Sequence, residues 1–105
     1  MLDTTPLTRA VDHFADRLRA APQSRLQRGA AAEALGLARE LARRAQLLEE
    51  PSATPREMPD AGMFAAADQI TVAGQDLALV LVNEDEEALS QAMTLVAEAQ
   101  QRAGV

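Results

Sequence analysis

The segment Asp60–Asn83, DAGMFAAADQITVAGQDLALVLVN, is the most apolar stretch of the chain and decides the fold. At 100° per residue, most of its apolar side chains gather on one broad helical face. That face comprises Met63, Ala66, Ala67, Ile70, Ala73, Gly74, Leu77 and Leu81. Val72 and Leu79 fall among the polar residues of the other face. The segment therefore predicts a helix over residues 60–82 with neighbours on several sides.

A β-hairpin over residues 69–82 is the alternative structure for this segment. Large apolar residues occur at alternate positions, first Ile70 and Val72 and then Leu77, Leu79 and Leu81, and residues 73–76 could form the turn between the two runs. An isolated two-stranded hairpin is only marginally stable in water, and no other segment offers a third strand. The alanines just upstream also favour a helix. We therefore expect the helix.

The composition indicates one small globular domain. The chain has 105 residues, of which 48% are hydrophobic but only 2% aromatic. This length supports one core and is too short for two. Because Ala dominates the apolar residues, we predict a core that depends on close approach between helices. We expect a single domain over residues 1–105.

Several classes of site and location are excluded or disfavoured. The chain has no Cys, which rules out disulfides, thiolate metal sites and Cys nucleophiles. No apolar run reaches the roughly 20 residues of a membrane span. The first ten residues lack the basic and apolar regions of a signal peptide. We therefore expect a cytoplasmic protein without membrane contact.

Two amphipathic segments precede the central one. The first is predicted as a helix over residues 6–21, which begins after Thr5 and ends before Pro22. Its predicted buried stripe is Leu7, Val11, Phe14 and Leu18. The second is predicted over residues 24–50, with Ser24 and Gln27 as a capping box. Because the connection between them is short, we expect these helices to pack as an antiparallel hairpin.

The Pro-rich residues 51–59 are predicted to link this hairpin to the central helix, with a short helical turn at residues 54–57 and Asp60 as the next cap. A last helix is predicted over residues 84–103. Asn83 would cap it, and the acidic residues 84–87 would fill its first turn, where the helix dipole favours negative charge. Helices at about 6–21, 24–50, 60–82 and 84–103 predict an all-α, four-helix antiparallel up-and-down bundle.

Motifs for catalysis and for cofactors are absent from the sequence. His13, the only His, projects away from the predicted buried stripe of its helix and beside Asp12 and Asp16. A solvated surface residue is the simplest interpretation of it. No Glu-x-x-His pair, nucleophile elbow or Gly-rich phosphate loop occurs. We therefore expect no enzyme activity, no cofactor and no metal.

The polar face of the central helix is the first candidate interaction surface. It combines apolar and acidic residues along one side, namely Asp68, Val72, Gln75, Asp76 and Leu79. Such a face could simply be the hydrated strip of a bundle helix. The sharper hypothesis is that Val72 and Leu79, framed by acids, contact another subunit or protein.

The second predicted helix carries an Arg-flanked stripe with small residues at its centre. Its members are Arg25, Arg28, Gly29, Ala32, Gly36, Arg39 and Arg43. A Gly inside a helix costs about 1 kcal/mol relative to Ala, so Gly29 and Gly36 suggest that another backbone approaches closely. A solvated Arg face, a helix-packing face and an anion-binding face all fit this pattern.

The charge distribution favours a protein partner. Residues 1–50 carry eight Arg against seven acids, a net charge of +1, and residues 51–105 carry two Arg against nine acids, a net charge of −7. The total of −6 disfavours nucleic acid binding. We expect a protein–protein interaction or self-association module, with another copy of the chain as the partner. The alternative is a small-molecule or anion-binding regulatory domain whose site includes Asp68, Gln75 and Arg39.

Overall fold

The computed structural model describes residues 1–105 and is all-helical, without strands. In chain order the α-helices are α1 (Thr5–Ala20), the short α2 (Gln23–Arg25), α3 (Ala31–Glu49), α4 (Ala66–Leu81) and α5 (Glu86–Ala103). A π-helical turn (Leu26–Ala30) precedes α3, and a 3₁₀ turn (Met63–Ala65) precedes α4. The prediction of an all-α protein with four long helices is confirmed.

The central segment is a helix and not a hairpin. α4 is continuous from Ala66 to Leu81, and its buried residues are Ala66, Ala67, Ile70, Ala73, Gly74, Leu77, Ala78 and Leu81. It begins later than predicted. Asp60 does not cap it, because the Asp60 carboxylate accepts the Gly62 N–H at 2.8 Å and Gly62 adopts a φ of 94°. This turn keeps the chain out of helical geometry until Met63.

The helix predicted over residues 24–50 is interrupted at Gly29. This residue has φ 139° and ψ −16°, a conformation that residues with a Cβ avoid. The backbone is kinked there, so α2 and α3 are separate. The capping box predicted for Ser24 and Gln27 is also absent, because no side chain caps α2.

The last helix has a different cap from the predicted one. The Asp85 carboxylate accepts the Ala88 N–H at 2.9 Å, whereas Asn83 lies before the helix in a turn. Glu86 and Glu87 occupy the first turn. At the other end Gly104 adopts φ 70°, and its N–H closes the helix by hydrogen bonds to the preceding turn. Gly104, with Arg102 in the last turn, is the C-terminal signal that the sequence predicts for this helix, and it is confirmed.

The linker after α3 doubles back along that helix. The Gln46 side chain accepts the Arg56 N–H at 2.9 Å and donates to the Arg56 carbonyl at 3.1 Å. Arg39 donates from Nε to the Met58 carbonyl at 2.8 Å. The helical turn predicted at residues 54–57 does not form. The chain has therefore returned toward the start of α3 when α4 begins.

Because the linker returns along α3, the predicted up-and-down order of the helices is wrong for α3 and α4. Gly36 and Ala66 line one groove, and Ala45 and Asp76 line another further along both helices. α3 and α4 therefore run in the same direction. An antiparallel order would need a linker that turns directly from the end of α3 into α4, and residues 51–62 are instead used as a crossover.

The packing also separates the first two long helices. α4 packs against α3 and α1, and α5 packs against the same two helices, so α1 and α3 are not the directly packed hairpin that we predicted. α1 runs opposite to α4. The Leu2 N–H donates to the Val82 carbonyl at one end, and Arg19 binds Asp68 at the other.

Small residues dominate the single core. The buried cluster contains 23 residues, of which 12 are Ala, and no buried side chain is polar or charged. Two helices approach closely at Gly74, where an added Cβ would lie 2.9 Å from Val11 Cγ2. Close helix packing, rather than large aromatic side chains, therefore fills this interior.

Candidate interaction surface

The outer face of α4, with the 3₁₀ turn before it, carries the main group of exposed apolar side chains. We define the α4 stripe as the exposed residues Phe64, Asp68, Val72, Gln75, Asp76 and Leu79. Phe64 and Leu79 are each 73% exposed, and Val72 is 53% exposed. The chain exposes only two other large hydrophobic residues, Met1 and Leu48. The large apolar side chains left in solvent are thus concentrated on one face.

The periodicity of the sequence explains this stripe. In helical projection its six residues span about 120°, opposite the buried face of α4. Five of them belong to the predicted surface, and the structure shows all five exposed. Phe64 was missed, although its projected angle lies only about 20° from that of Gln75. Phe64 was not assigned to this face because it lies at the predicted start of the helix, next to the predicted core residue Met63.

Charged groups border the stripe on both sides. Arg19 of α1 donates from Nη2 to Asp68 Oδ1 at 2.8 Å and from Nη1 to Asp16 Oδ1 at 3.4 Å. The hydrogen bond to Asp68 is the main cause that raises the pKa of Arg19. At the other edge, Asp76 shares a surface groove with Arg56 of the linker. Exposed ion pairs add little stability, but they set the charge pattern around the apolar residues.

A small apolar recess lies at the Phe64 end of the stripe. Its volume is about 200 Å³. We call it the Phe64 recess, and its lining residues are Leu18, Arg19, Ala21, Leu26, Met63, Phe64 and Ala67. Arg19 is the only charged residue among them. The recess therefore offers a mostly apolar site of side-chain size beside the most exposed aromatic ring of the chain.

The predicted Arg-flanked stripe does not form one continuous helical face. The kink at Gly29 separates Arg25 and Arg28 from Arg39 and Arg43. The projection that grouped them assumed one unbroken helix. Each arginine contacts a group of its own chain: the Gly104 carbonyl for Arg25, the Ser24 carbonyl for Arg28, the Met58 carbonyl for Arg39 and the Glu40 carboxylate for Arg43. Arg25 and Arg39 therefore tie other segments of the chain to this region, whereas Arg28 and Arg43 bind within their own helical turns.

The predicted close approach at Gly29 and Gly36 is not observed. No heavy atom of a neighbouring group lies within 4 Å of a Cβ built on either residue. Gly29 is instead required because the backbone has a positive φ at this position. Gly36 opens, with Ala32 and Arg39, onto a surface groove of about 470 Å³ between α3 and the start of α4.

The other predicted functional groups are dispersed. His13 is exposed, and no group of three His, Asp or Glu side chains is placed to hold a metal ion. Asp68 binds Arg19, whereas Arg39 binds the linker, so the Asp68–Gln75–Arg39 site is not assembled. No helix combines the length and apolar character required to cross a membrane.

Comparison of the chain with protein-family models, with curated proteins and with solved structures gives no match. The α4 stripe, the Phe64 recess and the groove at Gly36 are the surface features that can indicate a function.

Proposed function

We propose that this protein is a self-association module that forms a homodimer through the α4 stripe. The observation that carries the proposal is the joint exposure of Phe64, Val72 and Leu79 on one face of α4. Burying one such side chain completely contributes roughly 1.5–3 kcal/mol. Three such side chains on one helical face, with charged groups among and beside them, have the composition of a protein contact with a polar rim.

The supporting helices make this surface a rigid one. The opposite face of α4 lies in the core, where Ile70 and Leu77 are almost completely buried. The stripe therefore has a fixed shape before any partner binds, which lowers the entropic cost of association. A binding role fits these features better than catalysis, because no converging set of acid, base or nucleophile accompanies the stripe.

Sedimentation equilibrium tests the proposal directly. We expect the apparent mass of the wild type to rise above the 11.2 kDa of the monomer as its concentration increases. Leu79→Asp places a charge in the stripe and should hold the mass at that of the monomer. Thr94→Asp, an equal charge change at an exposed position on α5, is the matched control and should behave as the wild type.

Circular dichroism must show that both variants keep their helices. A wild type that stays monomeric up to about 1 mM, a concentration at which even weak specific contacts form, would overturn the proposal. Equal dimerisation of the wild type and Leu79→Asp would show that another surface is responsible.

The groove at Gly36 supports a second candidate function, the binding of a small amphipathic anion. Its volume of about 470 Å³ lies within the range of ligand sites. Leu35 and Met63 supply apolar walls, and Arg39 supplies a positive charge in a lining that also contains the acid Asp60. Titration with octanoate, followed by NMR, should move the Gly36 amide resonance to saturation and have a weaker effect in Arg39→Gln. A linear response without saturation would remove this candidate.

A further inference from the structure

We infer that the two copies pair their α4 helices in antiparallel register about a twofold axis near Val72, with Leu79 of each copy in the Phe64 recess of the other. This inference rests on the proposed self-association. It specifies which groups meet, in which direction the helices run, and what occupies the recess.

The spacing of the apolar residues is the first argument. Phe64 lies eight residues before Val72, and Leu79 lies seven residues after it. The two distances along the helix are therefore about 12 Å and 10.5 Å. When a second α4 is reversed about Val72, its three apolar residues lie at nearly the same heights along the helix axis as those of the first. Val72 then meets Val72, and each Phe64 meets a Leu79. A twofold contact requires such self-complementarity.

The shapes at the two ends distinguish antiparallel from parallel pairing. The Phe64 end has an apolar recess of about 200 Å³, and the other end presents Leu79 with 73% of its surface exposed. Antiparallel pairing places the protruding Leu79 of each copy at the Phe64 recess of the other, so this contact forms twice. Parallel pairing would leave both recesses without a protruding side chain at their level and place the two Leu79 side chains at the same level, which leaves a void at one end and crowding at the other.

The antiparallel pairing brings Asp68 of one copy level with Asp76 of the other, and parallel pairing would bring each of these acids level with the same residue of the other copy. Acidic side chains therefore meet in both arrangements, and the charges at the α1 edge distinguish them. Val11 is level with Gly74, and Arg19 is level with Asp68, so Asp12 lies near the level of residue 73. A twofold axis that reverses the helices keeps α1 at the same edge in both copies. It brings Asp12 of one copy to within about 5 Å, along the helix axis, of Arg19 of the other. The two side chains are exposed and of opposite charge.

The size of the contact sets the expected affinity. From Phe64 to Leu79 the stripe is about 23 Å long and one helix, roughly 10 Å, wide. A standard interface buries roughly 800 Å² on each partner. α4 alone supplies only part of this, and the α1 edge with Arg19 and Asp12 supplies more. A contact below the standard size is typical of weak, transient association, and we therefore expect a weak dimer.

Single-cysteine variants test the register, because the chain has no Cys of its own. Asp68→Cys and Gln75→Cys change only polar positions of the stripe and leave its three apolar residues intact. In the antiparallel dimer, residue 68 of one copy lies level with residue 75 or 76 of the other, within reach of a disulfide. Two copies of residue 68 would be about 11 Å apart along the axis, and two copies of residue 75 about 10 Å apart.

Oxidation of an equimolar mixture of Asp68→Cys and Gln75→Cys, with one of them isotope-labelled, should therefore give the mixed disulfide as the main product. Each variant alone should link little more than Thr94→Cys, the control for random collisions. Predominant self-links at 68 and at 75 would establish parallel pairing and overturn the inference.

Sedimentation of the reduced variants separates this inference from the proposed function. If they dimerise but no link at 68 or 75 exceeds the Thr94→Cys control, the α4 register is wrong although self-association remains. If the reduced variants and the wild type are monomers throughout, both the register and the proposed function are wrong.

Discussion

Gly29 and Gly36 lie seven residues apart but have different backbone requirements. Gly29 has φ 139°, whereas Gly36 is a regular helical residue on the surface with no neighbouring atom within 4 Å of a built Cβ. Gly29→Ala should lower the free energy of unfolding by roughly 1–3 kcal/mol, because Ala is strained at this φ. Gly36→Ala should raise it by about 0.5–1 kcal/mol, because Ala favours the helix.

Urea denaturation of both variants measures these two effects. Equal responses at the two sites would contradict the assignment of the kink to Gly29. The sequence indicated that both glycines had a purpose, but it could not show that one serves a kink and the other an open surface, because both occur within one helical pattern.

Gly74 lies where a neighbouring helix leaves no room for a larger side chain. An added Cβ would lie 2.9 Å from Val11 Cγ2 and 3.2 Å from Val11 Cβ, which a stiff β-branched side chain cannot easily avoid. Gly74→Ala should therefore reduce the free energy of unfolding by about 1–3 kcal/mol despite the better helix propensity of Ala. The reduction should be smaller in a Val11→Ala background. A double-mutant cycle by urea denaturation that shows no coupling would contradict this contact.

Glu40 links stability to pH through its ion pairs. Arg43 and then Arg44 donate hydrogen bonds to its carboxylate and lower its pKa below the ordinary value of 4.5. The folded state therefore binds this proton less readily than the unfolded state, and the stabilisation is complete above pH 4.5 and is lost as the pH falls through the lowered pKa.

Glu40→Gln should consequently cost about 0.5–1 kcal/mol at pH 7, and the difference from the wild type should shrink toward pH 2. Glu49→Gln removes the same charge at an exposed position without an ion pair and is the control. Unfolding curves at several pH values give the result. A difference that does not depend on pH would show that the ion pairs are not responsible.

At the scale of the helices, α5 shows how a run of acidic residues resolves into separate roles. Asp85 caps the helix by accepting the Ala88 N–H, whereas Asn83 makes no side-chain cap. Asp85→Ala should cost about 1 kcal/mol in the free energy of unfolding, and Asn83→Ala should cost much less. Thermal unfolding of both variants compares them. A larger loss of unfolding free energy for Asn83→Ala than for Asp85→Ala would show that Asn83 is the cap, as the sequence predicts.

Helices α1, α4 and α5 could be predicted from periodicity, because each has one broad apolar face. α3 could be predicted only in part. Its apolar spacing continues through Gly29, and an isolated Gly in a helical pattern is compatible with either a straight or a kinked backbone. The start of α4 was misplaced for a similar reason, since Asp60 can equally cap a helix or close a tight turn with Gly62.

For the whole molecule, the relative directions of α3 and α4 could not be predicted from the sequence. They depend on the path of the linker, which is held by Gln46 and Arg39 through hydrogen bonds to the backbone of Arg56 and Met58. Nothing in the local pattern of those residues indicates such long-range contacts. Exposure of the α4 stripe was predictable, because it follows from the periodicity of a single helix; the Phe64 recess was not, because it is formed by separate segments.

The proposed dimer requires that the α4 stripe becomes buried when two copies meet. The relaxation of methyl resonances by a soluble paramagnetic compound measures this burial directly. We predict that the Val72 and Leu79 methyl groups become progressively protected between about 10 μM and 1 mM protein, the range of a weak dimer, while those of the exposed Leu48 do not change. Methyl groups of Val72 and Leu79 that remain as accessible at the highest concentration as at the lowest would contradict the account.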